Sequence, residues 1–550
     1  MSDPFTFEVI RNALVAATDE MVLALRKSAY STNIKTRSDF SCAFFDAELR
    51  CVAQGFAQPV HLGSMVEQIP RAVLDYGPEN LAPGDVIVTN DPFPSGVHLN
   101  DVSLISPVWH GDELLGYVAN LAHHVDVGGG APASIGAFRE VFQEGVIVPP
   151  VKLVAEGRIV EDVFRLILAQ IRSKHETGGD FRAQIAANMT GTRRLQAVAD
   201  RHGRETVVAT MEELLDYTER RTRVELAALP VGVYEAEGFV DTDGYTDEPV
   251  RLHARVELSS DGVRFDTSGS DPQRRAPVNS THAQTFSACA YALKCLIDPD
   301  LPVNDGFYRL VSLDAPKGTV TNCTWPAPVV GGWETQTRLV DVIFRALLPA
   351  LPDRLPAGTK AMMCHAGFGG VDGASGAYYC FLETFAGGYG GRLGSDGPDA
   401  VQTHGQNTEN APVEETELNY PVRVTRLSLV EDSEGAGRFR GGLGLRKDFH
   451  FDRPTTFTVL ADRTARGPWG VFGGRDGKPA EYVLIRDGVE RRLSAKTTID
   501  VEAGDTVSYR TCGGGGYGPP EERDPELVAR DVREDKVSAE RAREIYRWQR

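Results

Sequence analysis

Residues 85–126 read DVIVTNDPFPSGVHLNDVSLISPVWHGDELLGYVANLAHHVD. Three apolar runs in it, Asp-Val-Ile-Val-Thr, Val-Ser-Leu-Ile-Ser and Leu-Gly-Tyr-Val-Ala-Asn-Leu, are separated by Gly, Pro, Asn and Asp. Short apolar runs between turn formers predict strands of one sheet. Ser41 to Val60 shows the same punctuation and is expected to join that sheet. Upstream, Val9, Ile10, Leu14, Val15, Met21, Leu23 and Leu25 recur near helical spacing behind Asp3-Pro4, so Phe7–Ala29 is predicted to be a largely buried opening helix.

Downstream the pattern lengthens. Val163–Ile171, Ala183–Asp200 and Thr206–Leu226 carry apolar residues at i, i+3, i+4 with charges between, which predicts a helical section. Strand alternation returns from Gly232 to Phe265, and two apolar helices are expected near Thr281–Ile297 and Thr337–Leu348. After Pro356 the chain is glycine-rich, with strand-like runs at Tyr378–Leu382, Val422–Leu429, Thr455–Leu460, Tyr482–Ile485 and Thr506–Tyr509. From Glu521 the tail is charged and helical in pattern, suited to docking on the surface or on a partner. The expected class is α+β, mixed and multi-domain: an N-terminal α/β region (1–160), a helical section (161–230), mixed α/β (231–355), a β-rich region (356–520) and a helical tail (521–550).

A chain of 550 residues exceeds one hydrophobic core. Its 58 Lys and Arg against 77 Asp and Glu give a net charge of -19, which repels a phosphate backbone and argues against nucleic acid or an anionic membrane as partner. The N-terminal residues lack the pattern of a secretory leader, and no apolar stretch is long enough to span a bilayer, so the expected location is cytoplasmic. Eight cysteines without a C-x-x-C pair read as reduced, buried small residues. P-loop, dinucleotide and nucleophile-elbow motifs are all missing from the sequence.

The densest polar cluster runs from Asn90 to Asp101 and is answered by Ala122-His123-His124-Val125-Asp126. An H-x-x-D segment entering one strand, opposite histidines ending the next, can converge imidazole and carboxylate on a divalent ion. Such mixed N/O ligation suits Mn²⁺, Zn²⁺ or Fe²⁺. The alternative is a set of capped turns and a surface histidine pair. Asp39, in Arg37-Ser38-Asp39-Phe40-Ser41, is a candidate ligand or a turn aspartate. Gly331–Arg338 places Glu334 and Arg338 at an expected helix start, suited to a substrate anion or to an ordinary cap and ion pair. His404 and Asn407, in the polar run Thr403–Asn410, are candidates for lining a cleft. The run Gly513–Gly518 approaches a ligand or makes a tight turn.

Phe7-Glu8-Val9-Ile10-Arg11-Asn12-Ala13-Leu14, Arg37–Ser41, Asn90-Asp91-Pro92-Phe93, His98-Leu99-Asn100-Asp101, Ala122–Val127 and Gln143-Glu144-Gly145 together resemble the hydantoinase B/oxoprolinase family. Pro302–Gly306, Glu334-Thr335 with Arg338, Arg440–Gly444, Pro468–Gly474 and Gly513–Gly518 continue the resemblance in order, from about Phe5 to the tail. The family comprises B-type subunits of N-methylhydantoin and 5-oxoproline amidohydrolases and caprolactamase, with acetone and acetophenone carboxylase subunits as relatives. The resemblance implies a hydantoinase A-type partner that binds ATP–Mg and phosphorylates the substrate or bicarbonate, in a hetero-oligomer of A2B2 or similar form. It also implies an ion held by His98, Asp101 and His123, with Asp39 as the further match. On this reading the chain completes C–N hydrolysis of a cyclic amide, a small-molecule substrate, with His124 shuttling protons and Asp126 and Arg338 orienting the substrate. The alternatives are a component of a ketone carboxylase, or a non-catalytic scaffold for the A-type partner.

Overall fold

The computed structural model describes residues 3–55, 58–93, 95–373 and 375–549; Pro94, inside the polar cluster, lies outside them. Helix α1 (Pro4–Ser28) starts where Asp3 accepts the N–H groups of Phe5 and Thr6 and Pro4 fills the first turn; Arg26 and Lys27 end it. Its buried stripe is Ile10, Leu14, Ala17, Met21 and Leu25. Val9, Val15 and Leu23 face outward, so the helix is half-buried rather than largely buried. The one-turn helix α2 (Thr32–Lys35) follows, capped by Ser31.

The strands predicted from residues 85–126 are present and belong to one antiparallel sheet of seven. It comprises β1 (Phe40–Asp46), β2 (Cys51–Gln54), β3 (Val86–Thr89), β4 (Asp101–His110), β5 (Glu113–His123), β6 (Val151–Ala155) and β7 (Arg158–Ile159), in the order β2-β1-β5-β4-β3-β6-β7. Val60 is not part of it. Pro59 opens helix α3 (Pro59–Tyr76), an element not expected from the sequence, which lies on one face of the sheet. The other face is covered by α1 and by the helical section α4 (Glu161–Ala169), α5 (Lys174–His202) and α6 (Arg204–Ala227).

Strands β8 (Gly232–Val240), β9 (Val250–Leu258), β10 (Val263–Asp266) and β11 (Val311–Asp314) form a second sheet in which only the β10–β11 pairing is parallel. Helices α7 (His282–Lys294), α8 (Asp305–Tyr308) and α9 (Gly332–Leu347) accompany it. A capping box between Thr281 and Gln284 fixes the start of α7. Helix α9 starts five residues before the expected Thr337, because Gly331 and Gly332 let the chain pass under Pro277 O and Asn279 O, where a Cβ would meet backbone at 1.7 and 2.6 Å.

The glycine-rich part adds two sheets. One orders β12 (His365–Val371), β13 (Tyr378–Thr384), β16 (Thr455–Leu460) and β19 (Lys496–Val501) as β13-β12-β16-β19. The other orders β14 (Val422–Leu429), β15 (Leu445–Phe451), β17 (Glu481–Arg486), β18 (Val489–Arg492) and β20 (Thr506–Arg510) as β14-β15-β20-β17-β18. The short helix α10 (Val413–Asn419) leads into β14. The tail, α11 (Pro525–Arg533) and α12 (Ala539–Glu544), docks on this part through Val528, Val537, Ala542 and Tyr546 against Ala436. The Gly513–Gly516 run is threaded between other backbone segments: a Cβ on Gly514 would meet Tyr389 O at 1.9 Å. The architecture is mixed α+β with several sheets. Among the described residues no helix is long and apolar enough to cross a membrane, and seven of the eight free cysteines are buried, Cys295 being exposed.

Candidate metal centre

Strand register builds the centre. In the β4–β5 hairpin Asp101 pairs directly with His123, so their side chains share a face. The neighbouring pairing, Phe40 with Ala122, brings Asp39 to the same end, where its carbonyl accepts the His123 N–H at 3.0 Å. His98 sits in the turn ahead of β4, its carbonyl accepting the Asp101 N–H. Strand alternation then decides direction: Leu121 and His123 lie on the α3 face with Val60, Met65 and Trp333, whereas Ala122 lies on the α5 face with Val118, Ala183 and Ala187.

Ligand atoms of His98, Asp101 and His123 all lie within 4.8 Å of one another, and all three residues are buried. Both nitrogens of His98, both carboxylate oxygens of Asp101 and Nε2 of His123 lack a hydrogen-bond partner. His98 Nε2 stands 3.1 Å from Asp101 Oδ2 without hydrogen-bond geometry. Leaving so many buried donors and acceptors unpaired is costly, and a cation at their focus would satisfy one nitrogen of each ring and the carboxylate, the second His98 nitrogen keeping the ring proton. Two imidazoles and a carboxylate fit a Mn²⁺, Zn²⁺ or Fe²⁺ ion.

Two histidines not anticipated from the sequence complete the surroundings. His61, on α3, has Nε2 3.5 Å from Asp101 Oδ1 and 3.8 Å from Asp39 Oδ1. His365, opening β12, faces the same cluster, with Nδ1 3.8 Å from Glu334 Oε1. Both arrive from elements remote in sequence. The local signal for His61 was its position just after Pro59, in the first turn of a helix.

Burial pushes His98 and His123 down to about 3, so both rings are neutral and ready to ligate. Burial lifts Asp101 to about 6, against the pull of His61 and His123. Burial would also raise Asp39, but His123, His61 and Arg37 outweigh it and hold that carboxyl below its ordinary range. Because an ion requires the ionised carboxylate, affinity should be full above pH 6 and fall about tenfold per unit below it. The histidines, neutral down to about 3, add nothing to that fall. Titrating Mn²⁺ by calorimetry at pH 5.0 and 7.5 checks this; equal affinities would contradict it.

The other candidates are placed elsewhere. His124 points to the α5 face, its ring 4.6 Å from that of Phe181 and its Nε2 2.9 Å from Gln184 Oε1. Asp126 accepts the N–H groups of Gly128 and Arg172 and pairs with the Arg172 guanidinium at 3.0 Å. Arg338 is not at the start of α9: it lies in the second turn, buried, paired with Asp462 at 2.8 Å and donating to Phe239 O and Ala361 O. Glu334 is near the centre, and its two oxygens accept the N–H groups of Met363 and Cys364, fixing the approach to His365. His404 belongs to a separate buried group with Thr359 and Asp341. Asn407 is exposed, and its N–H donates to Gln58 Oε1, which braces the start of α3.

Trp333 walls the centre, its ring 5.6 Å from that of His98, and the loop before it hangs from Glu144, whose Oε1 accepts the N–H groups of Val329 and Val330. Burial pushes Glu144 up to about 8 from 4.5, and its Oε2 has no partner. Between those values the folded protein keeps a proton that the unfolded chain releases. The stability is complete below pH 4.5 and is lost as pH rises through 8. Glu144→Gln keeps the acceptor and removes the titration. The variant should match the parent near pH 4.5 and exceed it at pH 8.5 by on the order of a few kcal/mol, measured by denaturant titration; a pH-independent difference would contradict this.

Known proteins resemble this chain in sequence and in architecture. A family model described as Hydantoinase B/oxoprolinase matches residues 3–520. The chain belongs to the hydantoinase B/oxoprolinase family. It is 31% identical to the B component of a putative D-/L-hydantoinase of Pseudomonas sp. (strain NS671), over 98% of this chain and 94% of that one. It is 32% identical to 5-oxoprolinase 1 of Arabidopsis thaliana, over 94% of this chain but 42% of that longer protein. The crystal structure of the ATP-dependent caprolactamase from Pseudomonas jessenii superposes with a TM-score of 0.92 at 32% identity, covering 99% of this chain and 96% of that one.

Proposed function

We propose that this chain is the B-type component of an ATP-dependent amidohydrolase acting on a cyclic amide of hydantoin, 5-oxoproline or lactam type. The observation that carries the proposal is the buried set of unpaired donors at His98, Asp101 and His123 in a chain of this family. Those three residues would hold a divalent ion, with Asp39 beside them. Such an ion supplies Lewis acidity, polarising a carbonyl or lowering the pKa of bound water.

The protein's own groups do the remaining work. Trp333 and the apolar residues around it keep the centre dry, which strengthens electrostatic interactions there. His61 and His365 face the cluster and are the groups that would hold or pass a proton; His124, across the sheet, is not. A cavity of about 690 Å³ between α2 and the β13 sheet, lined by Tyr30, Asn33, Tyr378, Phe381 and Tyr420, has the size and aromatic walls for a small ring. Asn33 links it to His123, 3.3 Å away.

The nucleotide would bind an A-type partner. The match to less than half of 5-oxoprolinase 1, and the names of relatives as components of larger enzymes, support a second component. Co-expressing the chain with an A-type partner and assaying ATP turnover against lactams, hydantoins, 5-oxoproline and ketones tests the reading. Ring opening of at least one cyclic amide is expected. Turnover with ketone and bicarbonate alone would replace it by the carboxylase reading, and no metal-dependent turnover would leave a scaffold.

A further inference from the structure

We propose that Asn33, clamped by Arg37, is a positioning residue that sets the tautomer of His123 and thereby the affinity of the centre for its ion. This rests on the reading of His98, Asp101 and His123 as ligands. Arg37 is wholly buried, and it donates from Nη1 to Asn33 Oδ1 at 3.0 Å and to Leu382 O at 2.7 Å. Its Nη2 donates to Thr384 Oγ1 and its Nε to Glu409 O.

Guanidinium only donates, so the Asn33 atom facing it is oxygen and the one facing His123 is the NH₂ group. That nitrogen lies 3.3 Å from His123 Nδ1. Donation from Asn33 makes Nδ1 an acceptor and puts the ring proton on Nε2. Nε2, however, is the buried nitrogen without a partner, and therefore the one offered to the ion. A neutral imidazole that ligates through Nε2 must carry its proton on Nδ1 and donate it outward.

Ligation therefore sets two donors against each other. The conflict is relieved when the Asn33 amide turns over, so that Oδ1 accepts from Nδ1 and the Arg37 bond to Asn33 is given up. Arg37 retains Leu382 O, Thr384 Oγ1 and Glu409 O and stays in place. Ion binding and amide orientation are thus one equilibrium, and the cost of the turn holds affinity down. Asn33 also lines the 690 Å³ cavity, so the same amide is within reach of a bound molecule.

Asn33→Asp supplies oxygens to Arg37 and His123 at once. Its dissociation constant for Mn²⁺ should be about tenfold tighter than that of the parent chain, in the range typical of partners behind a metal-bound histidine. Added negative charge alone also tightens binding, so a second readout is needed. Electron spin echo modulation of the Cu²⁺-loaded protein reports hydrogen bonding at the remote imidazole nitrogen. It should show one hydrogen-bonded remote nitrogen strengthened in Asn33→Asp and lost in Asn33→Leu, with circular dichroism confirming that both variants fold. Unchanged affinity in Asn33→Asp, or tighter binding with the same modulation in all three proteins, overturns the proposal while leaving the centre intact. Failure of the parent chain to bind any ion removes the centre itself and the proposal with it.

Discussion

Asp101→Asn is expected to lower ion affinity by at least about 100-fold, the upper end of what changes behind a metal ligand cost, and to abolish metal-dependent turnover of the assembled enzyme. The substitution keeps size, removes the charge and exchanges one acceptor oxygen for an NH₂ donor. The ion-free fold should not suffer, because neither carboxylate oxygen of Asp101 has a hydrogen-bond partner and burial already lifts its pKa to about 6. In EDTA the variant should melt at or above the parent temperature. Loss of binding together with a much lower melting temperature would mean that Asp101 supports the fold and that the argument from unpaired atoms is wrong.

Arg338→Met should act in the opposite way. It would remove the closer of the two cations paired with Asp462, leaving that buried carboxylate beside Asp241 with Lys496 at 3.6 Å, and it would take the guanidinium from Phe239 O and Ala361 O. Removing one partner of a buried ion pair costs about 3–5 kcal/mol. Denaturant titration should show that loss, and ion affinity at His98, Asp101 and His123 should be unchanged. A stable variant with a raised KM for substrate would instead return Arg338 to the orienting role expected from the sequence.

A helix expected to begin at Thr337 puts the Arg338 guanidinium at an open end, whereas the structure places it in the second turn, paired with Asp462. The true start at Gly332 depends on a close backbone passage under Pro277 that no local pattern reveals. His123 and His124 were given neighbouring roles, although strand alternation alone places adjacent residues on opposite faces; that separation was legible. His98 and Asp101 are visible because H-x-x-D is local, but Asp101 opposite His123 is not: the pairs beside the Gly111 turn, His110 with Glu113 and Trp109 with Leu114, would run on to Ala122, and a register shift between Val108 and Trp109 brings His123 opposite instead. His61 and His365 are not visible, since α3 and β12 reach the centre only through tertiary packing. Asn33 and Arg37 escaped notice for the same reason, their partners lying on β5 and β13.

The unpaired atoms at the joined ends of β1, β4 and β5 should hold one divalent ion. Elemental analysis of the purified chain, combined with anomalous diffraction at the absorption edge of the metal found, tests it directly. About one Mn, Zn or Fe per chain is expected, with its anomalous peak among His98, Asp101 and His123. A peak elsewhere, or protein fully active with its partner and free of metal, would contradict it.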